Sequence, residues 1–228
     1  MVMIIPRHTA TMTTIPAMHT EATLTLVQWL SPAYPVGAFA YSHGLEWAVE
    51  TSDVVDSETL GSWLDSVLRH GSGQSDALFL AAAYLAEDPA QIDATARAFS
   101  ASAERLKETV LQGEAFARAT SDIWGTALPS LTYPVAVGHA ARLNHLPLEL
   151  TLQMYLQAFM ANLVAAGMRL IPLGQTDGQI VIKALTPLCV EIATSALGGS
   201  LEDLSATAFT CDIASMKHET QYSRIFRT

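Results

Sequence analysis

Seven histidines are the side chains of this 228-residue sequence best suited to metal binding or proton transfer. His43 and Glu46 are three residues apart, so they would share one face of a helix. Two further pairs are His139 with His145, six residues apart, and Cys211 with His218, seven residues apart. A metal site needs about three or four ligands, so each pair is too small alone. Capping or solvent-facing histidines are the favoured interpretation, and a metal site shared between chains stays open.

A catalytic pair is conceivable at Ser42 and His43, or at His43 and Glu46. An activated nucleophile needs a base within reach and a third group that orients the base, and the sequence offers no third group. The chain also lacks the patterns GxxxxGK(S/T), GxGxxG, HExxH and GxSxG. We therefore predict no catalytic, cofactor-binding or metal-binding residue. The rival interpretation is a stand-alone helical enzyme that uses His43 and Glu46.

The composition limits the kinds of partner. Half of the residues are apolar and 15% are charged, whereas an average soluble domain has about 25% charged residues. Either the core is unusually large or part of the surface is an interface. The net charge of −10, with 12 basic residues, argues against nucleic acid, because phosphates require clustered lysine and arginine. Cys189 and Cys211 form neither a CxxC motif nor a disulfide framework, so we expect a reduced, cytoplasmic protein.

No segment favours a membrane or a signal peptide. The longest apolar stretch, residues 148–173, is interrupted by polar side chains that a membrane span would rarely carry. They are Gln153, Gln157, Asn162 and Arg169. A buried helix of a soluble protein is favoured, and a helical protein on a membrane surface is a third alternative. Residues 1–20 lack a basic region followed by an apolar core, so we expect a flexible N-terminal tail.

Apolar residues recur at helical spacing along the chain, and alternating strand patterns are nearly absent. The pattern predicts an all-α, single-domain bundle of about nine or ten helices over residues 21–204. A C-terminal partner-binding tail follows over residues 205–228. Ser42 and Asp56 are predicted to cap helices at 42–51 and 58–70. The other predicted helices are 21–30, 75–86, one that begins at 88–89, 102–124, 134–144, 147–170 and 175–197.

The predicted helix 147–170 is apolar on two faces, which is typical of a helix surrounded by protein. Its second face consists of small or flexible residues, namely Met154, Ala158, Ala161, Ala165 and Met168. Either this helix is central in the bundle, or its small-residue face meets a second subunit. Arg169 is a lone cation in this stretch and needs either a carboxylate or an interface.

The C-terminal residues 211–228 are rich in the residue types that dominate binding energy at interfaces. They include Tyr222, Arg224, Phe226 and Arg227. Two alternatives remain open: the tail packs on its own bundle, or it docks into a partner. The loop at residues 31–41 raises a similar question, because Val36, Phe39 and Tyr41 make it unusually apolar for an irregular segment.

Three segments, in order along the chain, carry a family resemblance. Residues 31–50, SPAYPVGAFAYSHGLEWAVE, match the pattern SP-x-x-PVG-(G/A)-(F/Y)-x-(Y/W)-S-x-GLE. Residues 167–179, GMRLIPLGQTDGQ, match (K/R)-L-(V/I)-P-(L/F)-GQ, and residues 213–228, IASMKHETQYSRIFRT, match the specific ending HETQYSR-(L/I)-FRS. Together they resemble the urease accessory protein family UreF. The differences are mild, at Ala38, Ala40, Arg169 and Thr228, and residues 1–20 fall outside the resemblance.

The resemblance implies an all-α homodimer without catalysis of its own. It implies three partners: UreD, also called UreH; the nickel-carrying GTPase UreG; and the urease apoprotein. It implies no cofactor of its own, nickel handled transiently by the complex, and an effect on the UreG GTPase. We expect the 31–41 loop to be covered by another protein. The predicted partner-binding residues are Pro35, Val36, Phe39, Tyr41, Ser42, Glu46, Arg169, His218, Glu219, Tyr222, Arg224, Phe226 and Arg227.

Overall fold

The computed structural model describes residues 17–205 and 207–227, and this part of the chain contains ten α-helices and no strand. The helices are α1 (Ala17–Trp29), α2 (Leu45–Glu50), α3 (Ser57–His70), α4 (Ser72–Leu85), α5 (Ala90–Ala98), α6 (Ala103–Trp124), α7 (Tyr133–Leu143), α8 (Leu148–Leu170), α9 (Gln175–Ser195) and α10 (Phe209–His218). Short 3-10 turns lie at Ala38–Ala40, Ala196–Gly198 and Leu201–Asp203. The predicted all-α, single-domain fold is confirmed. The predicted N-terminal tail lies largely outside the described residues, and α1 begins at Ala17.

One of the two predicted helix caps is confirmed and the other is wrong. Asp56 caps α3, where its carboxylate accepts the Thr59 N–H at 2.9 Å. Ser42 is not the N-cap residue of α2, although its hydroxyl accepts the Glu46 N–H at 3.4 Å. The reason is that the next two residues, His43 and Gly44, have left-handed backbone conformations with φ of 54° and 77°. Successive left-handed residues cannot continue a right-handed helix. As a result α2 begins only at residue 45.

The core surrounds α4, the most enclosed helix. Gly73 and every residue from Ser75 to Ala83 are buried. The α4 helix contacts α3, α7 and α8, while α8 contacts α9, and α10 contacts α2 and α6. This arrangement brings the short α2 and the C-terminal α10 together at one side of the bundle.

The α8 helix is enclosed on one of its two apolar faces. Leu152, Leu156 and Leu163 are buried in the core. On the small-residue face, Ala158 and Ala161 are half-buried and Ala165 is exposed. This face lines a cavity of about 470 Å³ beside α1. The α8 helix contacts α1, α2, α3, α4, α7 and α9, as expected of a central helix, while the described residues leave part of its small-residue face open.

One segment of the described chain is long and apolar enough to cross a membrane, by length and composition alone. It comprises Gln175–Gly198 with a mean hydropathy of 1.7. Its inward side, including Val181, Leu185 and Leu188, is buried against the bundle. A single helix of this kind is weak evidence for a membrane span, because core helices of soluble proteins meet the same criterion.

Replacing Gly138 by alanine should destabilise the protein. A Cβ atom at this position of α7 would lie 2.2 Å from the carbonyl oxygen of Leu80 in α4. Backbone must then shift in a packed core, at a cost of about 1–3 kcal/mol. Gly61→Ala in α3 is the matched control, because a Cβ there meets nothing within 4 Å, and it should stabilise by about 0.5–1 kcal/mol. Urea unfolding of both variants is the test, and equal effects would contradict this account of α4–α7 packing.

Candidate partner-binding site

The C-terminal end of the chain folds back onto the bundle. Residues 219–227, called the terminal segment below, follow α10 without further helix. They contact Glu46 in α2, Glu104 in α6 and Ala40 in the 31–41 loop. Of the two alternatives left open for this region, packing on the chain's own helices is the one found.

The carboxylate of Glu46 holds the terminal segment by its backbone. One oxygen accepts the Ile225 N–H at 2.7 Å, and the other accepts the Phe226 N–H at 2.9 Å. Glu46 can lie here because Gly44, at φ 77°, brings α2 against α10: a Cβ on this glycine would be 2.6 Å from the Ser215 backbone nitrogen. Glu46 is 6% exposed. A buried carboxylate is thus satisfied by peptide groups that are distant in sequence.

His218 links this carboxylate to a second one. Its Nε2 lies 3.2 Å from Glu46 and its Nδ1 lies 2.7 Å from Glu104, and the ring is fully buried. Arg224 donates to the other oxygen of Glu104 at 2.7 Å and to the His218 carbonyl at 3.3 Å. Two carboxylates, one imidazole and one guanidinium therefore form a single hydrogen-bonded cluster.

Two more contacts fix the start of the terminal segment. The carboxylate of Glu219 accepts the Ala103 N–H at 2.9 Å, at the N-terminus of α6, where a negative charge is favourable. The side-chain amide of Gln221 donates to Glu50 at the end of α2. The segment is therefore held at several points along its length, by both side chains and backbone.

The 31–41 loop is held between α8 and the terminal segment. The Ala40 carbonyl accepts the Arg227 N–H at 2.8 Å. The guanidinium of Arg169 donates to the Phe39 carbonyl at 3.0 Å and lies 4.4 Å from the ring centre of Phe226, which is buried. The Arg227 side chain hydrogen-bonds the hydroxyl of Tyr41. Burial raises the pKa of Tyr41, and Arg227 opposes this rise.

A solvent-open depression of about 540 Å³, called the arginine groove below, lies between the loop and the terminal segment. Arg169 and Arg227 line it with their guanidinium groups, and none of the described acidic residues does. The remaining lining residues are Pro35, Val36, Gly37, Phe39, Ala40, Tyr41, Leu111 and Ile225. Two of them, Phe39 and Ile225, are about two-thirds exposed.

The predicted partner-binding residues divide into an exposed and a buried set. The exposed ones are Pro35, Phe39, Arg169, Tyr222, Arg224 and Arg227, and Glu219 is half-buried. The buried ones are Val36, Tyr41, Ser42, Glu46, His218 and Phe226. The expectation that another protein covers Val36 and Tyr41 is wrong, because the chain itself covers them. The buried side chains position the exposed ones. The six buried side chains do not face a partner in this conformation.

The proposed enzyme pair His43 and Glu46 does not form. Nε2 of His43 lies 2.9 Å from Glu108, and Nδ1 lies 3.2 Å from the Ser72 hydroxyl. Glu46 faces His218 instead. The two side chains belong to different clusters because the left-handed turn at residues 43 and 44 separates their directions. The alternative of an enzyme that uses this pair is therefore not supported, because the two side chains do not meet.

A second buried charged cluster lies in the bundle and was not found from the sequence. Arg105 donates to Asp76 at 2.7 Å and lies 3.5 Å from Glu108. Burial would lower the pKa of Arg105, but Asp76 and Glu108 outweigh burial and raise it. Tyr155 also donates to Asp76, at 2.9 Å. Asp76, the only charged residue of α4, was the available signal, and the reasoning applied to Arg169 would have identified it.

No group of three or more histidine, cysteine or acidic residues within the described ranges is arranged to hold a metal ion. Cys211 and His218, the pair seven residues apart, are not a ligand pair in this geometry, since His218 is engaged by two carboxylates. Burial raises the pKa of Cys211 to about 12, so its thiol is protonated at neutral pH. A metal requires the thiolate.

Replacing Glu46 by alanine should release the terminal segment. The Ile225 and Phe226 N–H groups lose their acceptor, at a cost of about 1–3 kcal/mol each, so the detached population should rise about 30-fold or more. Trypsin cleavage after Arg224 measures the release, and it should accelerate accordingly. Glu87→Ala, at an exposed loop position, is the control and should leave cleavage unchanged. Equal cleavage of all three proteins would show that Glu46 does not hold the segment.

Comparisons with known proteins agree with the family resemblance of the sequence. A family model described as UreF matches residues 54–186. Urease accessory protein UreF of Ruegeria pomeroyi is 61% identical over 208 residues, covering 90% of this chain and 96% of the relative. The protein of the same name from Ruegeria sp. (strain TM1040) is 63% identical over 214 residues, covering 92% of this chain and 100% of the relative.

A third relative, urease accessory protein UreF of Roseobacter denitrificans, is 55% identical over 213 residues, covering 92% of this chain and 96% of the relative. These alignments extend over most of the bundle and are not confined to one motif. Because the family model spans more than half of the chain and these relatives cover nine-tenths of it or more, the chain belongs to the UreF family of urease accessory proteins.

Proposed function

We propose that this chain is a scaffold subunit that joins UreD, also called UreH, to the GTPase UreG during urease maturation. In this role it catalyses no reaction and has no cofactor of its own. It holds the other proteins in place while nickel, the cargo, passes through the complex to the urease apoprotein. The proposal places the protein in the cytoplasm. Membership of a urease accessory family supports the role in urease maturation.

The observation that carries the proposal is the placement of Tyr222. Its side chain is fully exposed, although Gln221 beside it is buried and Arg224 is paired with Glu104. A large aromatic side chain is thus held in solvent by an anchored backbone. Little conformational freedom remains to be lost on binding, and tyrosine and arginine dominate binding hot spots. This is the geometry expected of a docking residue.

The α8 small-residue face supports the proposed homodimer. Ala161 and Ala165 allow close approach of another helix, and the described residues leave Ala161 half-exposed and Ala165 exposed. On the neighbouring α1, Leu24 and Val27 are more than half exposed. A second subunit on this face would bury both apolar surfaces, which would explain part of the unusually apolar composition.

Arg169 supports a proposed effect on the UreG GTPase. The alternative of an internal ion pair is wrong, because the described residues place no carboxylate within ion-pair distance of this guanidinium. Arg169 instead contacts a carbonyl and the Phe226 ring while staying exposed. An exposed arginine in a fixed orientation is suited to act on a GTPase, and an arginine finger is the strongest form of that action.

Tyr222→Ala should weaken assembly with UreD and UreG without unfolding the chain. Loss of an interface hot spot costs about 2 kcal/mol or more, which corresponds to an increase of about 30-fold in Kd. Surface plasmon resonance with purified UreD, and then with UreG on the preformed pair, measures this. Urease activation in a reconstituted system provides the second measurement, and it should fall in parallel.

Leu85→Ala is the matched control, because it removes an exposed apolar side chain at the end of α4. This variant should bind both proteins like the unmodified chain. If Tyr222→Ala also binds both proteins unchanged, the scaffold proposal loses its main support. If the unmodified chain binds neither protein, the proposal is wrong.

A further inference from the structure

The arginine groove carries positive charge that the described residues do not neutralise. No carboxylate among them forms an ion pair with Arg169 or Arg227. Arg118 and Arg142 likewise form no ion pair, but Arg169 and Arg227 line the same groove. Arg169 contacts the Phe39 carbonyl and the face of the Phe226 ring. A guanidinium has five N–H donors, so both groups have donors to offer to the groove.

The overall acidity of the chain makes this pair of arginines in one groove informative. The chain has 22 acidic and 12 basic residues, so a groove lined by two arginines and no acid is the reverse of its average surface. Burial and then Glu108 raise the pKa of Tyr41, but the Glu108 carboxylate is itself buried and engaged by His43 and Gln112. It therefore faces the interior cluster and does not occupy the groove.

The walls of the groove are apolar and open. Phe39 is 68% exposed, Ile225 is 65% exposed and Leu111 is 39% exposed. These three come from the loop, the terminal segment and α6, so the surface exists only while the terminal segment is docked through Glu46. An occupant must supply apolar side chains for the walls and negative charge for the two guanidinium groups.

We infer that the arginine groove binds an acidic segment of a partner protein, in which one or two carboxylates flank a large apolar side chain. The carboxylates pair with Arg169 and Arg227, and the apolar side chain packs between Phe39 and Ile225. Desolvated arginine–carboxylate pairs give both affinity and orientation. The inference rests on the proposed function for the existence of a partner, and it adds the chemistry by which that partner is recognised.

Two matched peptides test the chemistry on the unmodified full-length chain. The first is a fluorescein-labelled dodecapeptide with the central sequence Glu-Leu-Phe-Glu, and the second has glutamine in place of both glutamates. Fluorescence anisotropy should show binding of the acidic peptide at least about 10-fold tighter than of the glutamine peptide, and the difference should shrink as salt is raised. Equal binding of the two peptides, or no binding of either, overturns the inference.

The double variant Arg169→Gln and Arg227→Gln tests the site. It should lose the preference for the acidic peptide and raise the Kd for UreD–UreG assembly by about 10-fold or more. Lys183→Gln, an exposed charge on α9, is the control and should bind normally. Trypsin cleavage after Arg224 shows whether the terminal segment stays docked, and the single variants are used if the double variant releases it.

The outcomes separate the two proposals. If the unmodified chain assembles with UreD and UreG and the double variant does so equally well, the inference is wrong while the scaffold proposal stands. If the unmodified chain prefers the acidic peptide but binds neither protein, the scaffold proposal is wrong while the groove chemistry stands. If the double variant instead converts a dimer to a monomer and still binds both proteins, a second copy occupies the groove and the inference is wrong.

Discussion

The exposed surface at this end of the molecule depends on one buried carboxylate. Glu46 accepts two consecutive backbone N–H groups of the terminal segment and faces His218. Glu104 balances the cluster by pairing with His218 and Arg224. A buried charge is stable only when it is fully paired, so these groups hold together as a unit. The docked terminal segment is a consequence of that requirement.

The cluster explains why buried and exposed side chains alternate along the terminal segment. Gln221 and Phe226 are buried, whereas Tyr222 and Ile225 are exposed. With the backbone fixed at Ile225 and Phe226, Arg169 closes over the Phe226 ring and holds the 31–41 loop beside it. The unusually apolar 31–41 loop therefore contributes some side chains to the core and others to the surface. The same short stretch therefore carries buried side chains that stabilise the fold and exposed side chains that are available for binding.

The all-α fold could be predicted from the sequence because helical spacing, caps such as Asp56 and glycine stops are local signals. The start of α2 could not, because the left-handed turn at His43 and Gly44 is stabilised by packing against α10. The composition of the last residues indicated a binding region, but the contact of Glu46 with His218 spans 172 positions. No local pattern reports such a pairing. For the same reason the sequence did not separate buried supports from exposed contacts, and the cluster at Asp76 went unrecognised.

Backbone dynamics of the isolated full-length chain test the central role of Glu46 most directly. The amides of Ile225 and Phe226 can be followed by 15N relaxation, without any partner protein present. If the buried carboxylate holds these two amides, their order parameters should be near 0.85, as in rigid backbone. Values below about 0.6 for both amides, with the helices remaining rigid, would contradict the account.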